Sequence, residues 1–133
     1  MLFRSLSAIR THLVNVIKKF QPDEVAVEGI IYVQSHQTAI SMGAARAAAL
    51  FAAADHGLRV YEYSPKKVKM AVVGKGTADK SQVAFMVRAL LGLAETPPPD
   101  AADALAIAMA HLQSSDPLKA KLLERRQIGR AHV

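Results

Sequence analysis

The stretch from Pro97 to His111, Pro-Pro-Pro-Asp-Ala-Ala-Asp-Ala-Leu-Ala-Ile-Ala-Met-Ala-His, constrains this chain more than any other. Prolines are barred from a helix interior, because each lacks an amide donor and its ring clashes with the preceding turn. The alanine and aliphatic run that follows favours a helix. The pattern therefore predicts a helix starting near Asp100, with Asp103 one turn further on. Residues at i and i+3 share a helix face, so the two carboxylates point the same way. Two readings fit. In one, Asp100 caps free amides and Asp103 complements the positive end of the helix dipole. In the other, the pair belongs to a metal site, which needs a third carboxylate from elsewhere in the chain.

The 133 residues suffice for one domain with a real core. Of these, 51% are hydrophobic, but alanine supplies much of that and aromatics only 5%, a composition suited to closely packed helices. The absence of cysteine excludes disulfides and thiolate metal sites and fits a reducing compartment. Arg4, Arg10 and His12 lie in the first fifteen residues without a long apolar core, which argues against a signal peptide. The longest apolar run, Ala47 to Ala54, is too short to span a bilayer. A cytoplasmic, non-membrane protein is expected. The net charge of +6 favours a polyanionic partner such as nucleic acid.

Along the chain, Leu6, Ile9, Leu13, Val16, Ile17 and Phe20 recur at helical spacing, predicting an amphipathic helix from Leu6 to Lys19. Gln21-Pro22-Asp23 ends it. Glu24-Val-Ala-Val-Glu28 reads as a short buried strand closed by Gly29. A small-residue helix follows from Ala39 to Asp55, ended by His56-Gly57, and Leu58 to Tyr63 reads as a second strand. Strand, helix and strand in that order imply parallel pairing. Ser64-Pro65 starts a short helix, Lys66 to Val73, broken by Gly74-Lys75-Gly76. Thr77 is expected to cap the next helix, whose buried face carries Val83, Met86, Val87, Leu90 and Leu91. Residues 114–127 form a basic tail. One helix feeding one strand is an odd opening for an α/β domain, and hints at earlier strands.

Glu28 supplies a third carboxylate. It follows Val-Ala-Val at the carboxyl end of a strand, where functional residues of α/β sheets gather. Glu28, Asp100 and Asp103 together offer the oxygen donors that Mg²⁺ or Mn²⁺ prefers, and two such ions can clamp the attacking and leaving oxygens of a phosphodiester. The plain alternative is that Glu28 marks where the strand surfaces. Lys66, Lys67, Lys69, Lys75 and Lys80 lie within fifteen residues and could contact phosphates, or form only a solvated face. Gly74-Lys75-Gly76-Thr77 does not have the order of a P-loop. The histidines show no ligand spacing. Ile31 and Tyr32 could wedge against an unstacked base, although apolar residues after a strand more often belong to a core.

Phe20-Gln-Pro-Asp, Val-Ala-Val-Glu28, Met42-Gly-Ala-Ala-Arg46, Val68-Lys69, Val73-Gly74, Lys80-Ser-Gln-Val83, Met86-Val87-Arg88 and Asp100-Ala-Ala-Asp-Ala-Leu-Ala-Ile107 form an ordered series. It resembles RuvC, the family of bacterial Holliday-junction resolvases, from about Leu6 to Gln113. The resemblance implies an α/β ribonuclease H-like fold over residues 6–113, with parallel strands packed by helices. It also implies a homodimer that nicks four-way DNA junctions in pairs during recombination and repair, using two Mg²⁺ ions per site (Mn²⁺ in their place), together with a branch-migration motor of the RuvA and RuvB type. Glu28, Asp100 and Asp103 match three of the family's four catalytic carboxylates. Lys69 and Lys80 match basic residues facing the DNA, with Lys66 and Lys75 beside them. Ile31 falls where relatives often carry a phenylalanine that probes the junction, a role that could pass to Tyr32. The fourth carboxylate belongs to a first strand, and that strand and two more have no counterpart here. Residues 1–5 and 128–133 read as translated adapter ends, so the sequence is expected to be a fragment that does not cut alone. The rival reading is a non-catalytic DNA-binding or dimerisation module on the same fold.

Overall fold

The computed structural model of the chain describes residues 2–29 and 35–114. They fall into two compact units, Met1–Glu62 and Tyr63–Val133. The first holds helices α1 (Leu2–Phe20) and α2 (His36–Asp55), strand β1 (Glu24–Glu28) and most of β2 (Arg59–Tyr63). The second holds α3 (Pro65–Val72), α4 (Lys80–Leu91) and α5 (Pro99–Ser114).

In the first unit α1 packs along α2. Leu6, Ile9, Leu13, Val16 and Ile17 are half-buried at the spacing that the sequence predicts. The helix begins at Leu2, earlier than the apolar periodicity places it. Phe20 shares the predicted face but is 68% exposed, because it lies in the last turn, where the Lys19 ammonium covers its ring at 5.2 Å. Helix α2 starts at His36, not Ala39, because the Ser35 hydroxyl accepts the Thr38 amide at 3.1 Å and caps the helix there. Strands β1 and β2 are neighbours in a two-stranded parallel sheet, as the strand–helix–strand order predicts. Val25, Ala26 and Val27 are half-buried, not fully buried, since β1 has a single partner strand among the described residues.

In the second unit α5 packs on both α3 and α4. Ala102, Ala106 and Ala110 form its buried stripe, with Val68, Val72, Val83 and Val87 in the same core. Small side chains let helix backbones approach closely, which is how an alanine-rich chain packs with few aromatics. Ser64 caps α3 through the Lys67 amide, with Pro65 at the first position, as the sequence predicts. Asp79, not Thr77, caps α4. Its carboxylate accepts the Gln82 amide at 2.8 Å, while the Gln82 side chain accepts the Asp79 amide at 2.9 Å. That reciprocal box needs Glu or Gln three residues beyond the cap, and Thr77 has Lys80 there. Leu90 and Leu91, expected on the buried face, are 53% and 45% exposed, because the last turn of α4 emerges into solvent. Gly74, at φ +88, takes the chain out of α3 through a conformation that other residues adopt at a cost.

Candidate functional site

Glu28 closes β1 and its side chain is exposed. Its main-chain carbonyl accepts a hydrogen bond from Arg46 of α2, and the same guanidinium pairs with Glu62 of β2 at 3.2 Å. Ile31 and Tyr32 lie outside the described residues.

Helix α5 begins at Pro99, and the Ala102 amide donates to the Pro98 carbonyl at 2.8 Å. Asp100 therefore sits inside the first turn and is not the cap. Its charge still faces the positive helix end. Asp103 follows one turn later, with the Lys80 ammonium 3.6 Å from its carboxylate. A predicted catalytic aspartate and a predicted DNA-facing lysine are thus neighbours. Both side chains are open to water, 83% exposed for Lys80 and 41% for Asp103, so the pair contributes at most about 1 kcal/mol. Either partner is free to exchange this contact for a ligand.

The remaining lysines have separate settings. The Lys66 stem lies along the Gly76 backbone, so closely that a Cβ on Gly76 would stand 2.9 Å from Lys66 Cγ. Lys67 lies over the Tyr63 ring at 5.4 Å. Lys69 adds a weak electrostatic pull on Asp79, whose carboxyl is held below its ordinary value of 3.8 chiefly by the Ser81 hydroxyl and then by the Gln82 amide. Lys75 is exposed in the turn after α3, and its carbonyl accepts the Ala78 amide. These lysines are distributed over α3, the following turn and the start of α4.

Among the described residues, neither unit by itself gathers three His, Asp or Glu side chains into a metal site. Asp100 and Asp103 offer two carboxylates on one helix, and Glu28 offers one on β1. Neither set alone fits a divalent ion, whose oxygen shell takes more donors than either supplies.

Two arrangements are absent from the sequence reading. One is the Arg46 bridge at the end of β1. The other is the buried bond between the Tyr63 hydroxyl and His111 Nδ1, 2.6 Å long, with the rings edge to face. A lone arginine inside an alanine helix and a tyrosine closing a strand are the local signals. Neither names its partner.

Residues 2–111 match the family model for the crossover junction endodeoxyribonuclease RuvC. A protein of that name from Akkermansia muciniphila is 68% identical over 123 residues, covering 92% of this chain and 74% of the relative. The Saccharophagus degradans protein of the same name is 47% identical over 128 residues, with 96% and 73% covered. The Thermus thermophilus RuvC structure matches with a TM-score of 0.79 at 40% identity, covering 86% of this chain and 70% of that one. RuvC of the same organism in complex with a Holliday junction substrate matches with a TM-score of 0.78 at 36% identity, covering 86% and 69%. The chain has the α/β, ribonuclease H-like architecture of these proteins. No helix among the described residues is long and apolar enough to cross a membrane.

Proposed function

Because this chain belongs to the RuvC family, we propose that it acts in resolving four-way DNA junctions by paired phosphodiester cleavage in recombination and repair. The 68% identity to a protein named crossover junction endodeoxyribonuclease carries the reading. A structural neighbour bound to a Holliday junction supports it. Glu28, Asp100 and Asp103 are the catalytic, ion-holding carboxylates, with two Mg²⁺ (or Mn²⁺) ions in the complete site. Lys69 and Lys80, flanked by Lys66 and Lys75, meet the DNA phosphates, where each neutralised phosphate releases counterions and makes binding salt-dependent. Ile31 or Tyr32 probes the junction. The working form is a cytoplasmic homodimer that cooperates with a branch-migration motor of the RuvA and RuvB type.

Three carboxylates of the family's four have counterparts in this sequence, and among the described residues neither unit alone gathers three such ligands. We propose further that these 133 residues on their own bind junction DNA without cutting it. The test uses a synthetic four-way junction with Mg²⁺. The chain alone should shift the junction and leave its strands whole. A chimera carrying the N-terminal segment of the Akkermansia relative should nick two strands. In that chimera Glu28→Gln or Asp100→Asn should lower cleavage more than about 100-fold, since even residues behind the ligands are worth 10–100-fold. Efficient paired nicking by the chain alone would refute its inactivity. Full activity in the Glu28→Gln chimera would leave a non-catalytic DNA-binding module as the better description.

A further inference from the structure

The carboxyl end of β1 carries a polar bridge that the cleavage reading leaves unused. Arg46 reaches from α2 and divides its guanidinium between two acceptors. Nη1 donates to the main-chain carbonyl of Glu28 at 2.5 Å, and Nη2 lies 3.2 Å from Glu62 Oε2. The Arg46 side chain is only 23% exposed, so its charge is largely withdrawn from water and its two partners matter correspondingly more. A guanidinium is a planar fork of donors and can serve both acceptors at once, whereas an ammonium is a point charge on a flexible stem. Gly29 completes the arrangement. A Cβ there would stand 2.9 Å from Glu62 Oε1, a distance real Cβ atoms essentially never show. A side chain at position 29 would push the exposed, flexible Glu62 carboxylate aside, and with it the anion that pairs with Arg46.

Three features of one unit thus converge on a single peptide: a charged donor on its carbonyl, an anion holding that donor, and a glycine leaving room for the anion. We propose that Arg46 is a positioning residue for Glu28, fixing the Glu28–Gly29 peptide so that the Glu28 carboxylate leaves the strand in one direction. Glu62 steadies Arg46, and Gly29 permits it. The proposal rests on the reading of Glu28 as a catalytic carboxylate, but its test does not.

The test compares Arg46→Ala, Arg46→Lys and Gly29→Ala variants of the 133-residue chain with Arg10→Ala, which removes the Arg10–Asp55 ion pair of the same unit. Amide hydrogen exchange is followed residue by residue, with Tm measured alongside. Arg46→Ala should speed exchange at Glu28 and Gly29 at least about tenfold relative to Val25–Val27, as a local opening does. Its Tm should fall no further than that of Arg10→Ala. Arg46→Lys should recover Tm without recovering the local protection, and Gly29→Ala should repeat the loss at Glu28. Unchanged exchange at Glu28 and Gly29 overturns the proposal. So does a uniform rise across the unit that follows Tm, or full rescue by lysine. An inconsequential Glu28→Gln in the junction assay removes the catalytic reading and leaves these exchange outcomes standing.

Discussion

In the first unit the end of β1 is held by charge: Arg46 grips the Glu28 carbonyl, and Glu62 grips Arg46. In the second, the helix bearing Asp100 and Asp103 is held by packing: Ala102, Ala106 and Ala110 lie at 2%, 0% and 1% exposure against their neighbours. The difference follows from what each element offers. A five-residue strand with a half-buried centre has little apolar surface to fix its last peptide, so a directional bond does it. A sixteen-residue helix can bury a continuous stripe, and its carboxylates inherit their direction from the rotation that the stripe sets. Carboxylates read as one set need not be oriented by one kind of force, and perturbations should separate them.

The largest stability effect should come from attacking the packing. Ala106→Leu forces extra carbons into a site with no exposure and should cost about 3 kcal/mol, the upper end of typical overpacking. Urea unfolding would measure it as a lower midpoint at an unchanged m-value. If the variant unfolds like the parent, the stripe does not set α5, and the comparison breaks on that side.

A smaller effect should come from Tyr63→Phe. It keeps the ring and removes the hydroxyl that shares a 2.6 Å hydrogen bond with His111 Nδ1. Both residues are buried, so losing the bond should cost about 1–2 kcal/mol. A double-mutant cycle with His111→Ala measures the coupling directly. Zero coupling would remove the Tyr63–His111 bond from the account of how α5 is held. A coupling above that range would make the polar bond an equal partner.

Local rules made part of this legible. The proline run located the start of α5 to within a residue, because proline's missing donor acts on its own turn. Val-Ala-Val between glutamates marked β1, and Ser64-Pro65 marked α3, for equally local reasons. The rest depended on neighbours. Apolar periodicity placed Phe20, Leu90 and Leu91 on a face, yet a face is buried only where another element reaches it. Thr77 and Asp79 are both good caps, and the choice fell on the residue with glutamine three places on. Arg46 and Glu28 stand 18 residues apart, and Tyr63 and His111 stand 48 apart, so nothing in either local sequence announces the bond. Of the residues read as a site, Asp103 and Lys80 could be seen side by side only once α4 had been packed against α5.

The smallest effect sharpens the comparison, because it asks whether a charge-held feature can be released while packing persists. The Asp79 carboxylate caps α4, and its pKa is lowered below 3.8 mainly by the Ser81 hydroxyl at 2.7 Å, then by the Gln82 amide, with a minor pull from Lys69. A group whose folded pKa is depressed contributes stability above its unfolded value and loses it as pH falls through the folded one. The cap should therefore be intact at neutral pH and should weaken only below about pH 3.8. Amide exchange at Gln82 and Val83 should accelerate across that window, after correction for intrinsic rates. Protection at Ala106 and Ala110, which rests on no titrating group of the cap, should persist further into acid. Asp79→Asn keeps an acceptor at the cap without a proton to bind, so it should flatten the pH dependence at Gln82 while leaving α4 helical. If Gln82 and Ala106 lose protection together as pH falls, the second unit opens as one body, and charge and packing are not separable there.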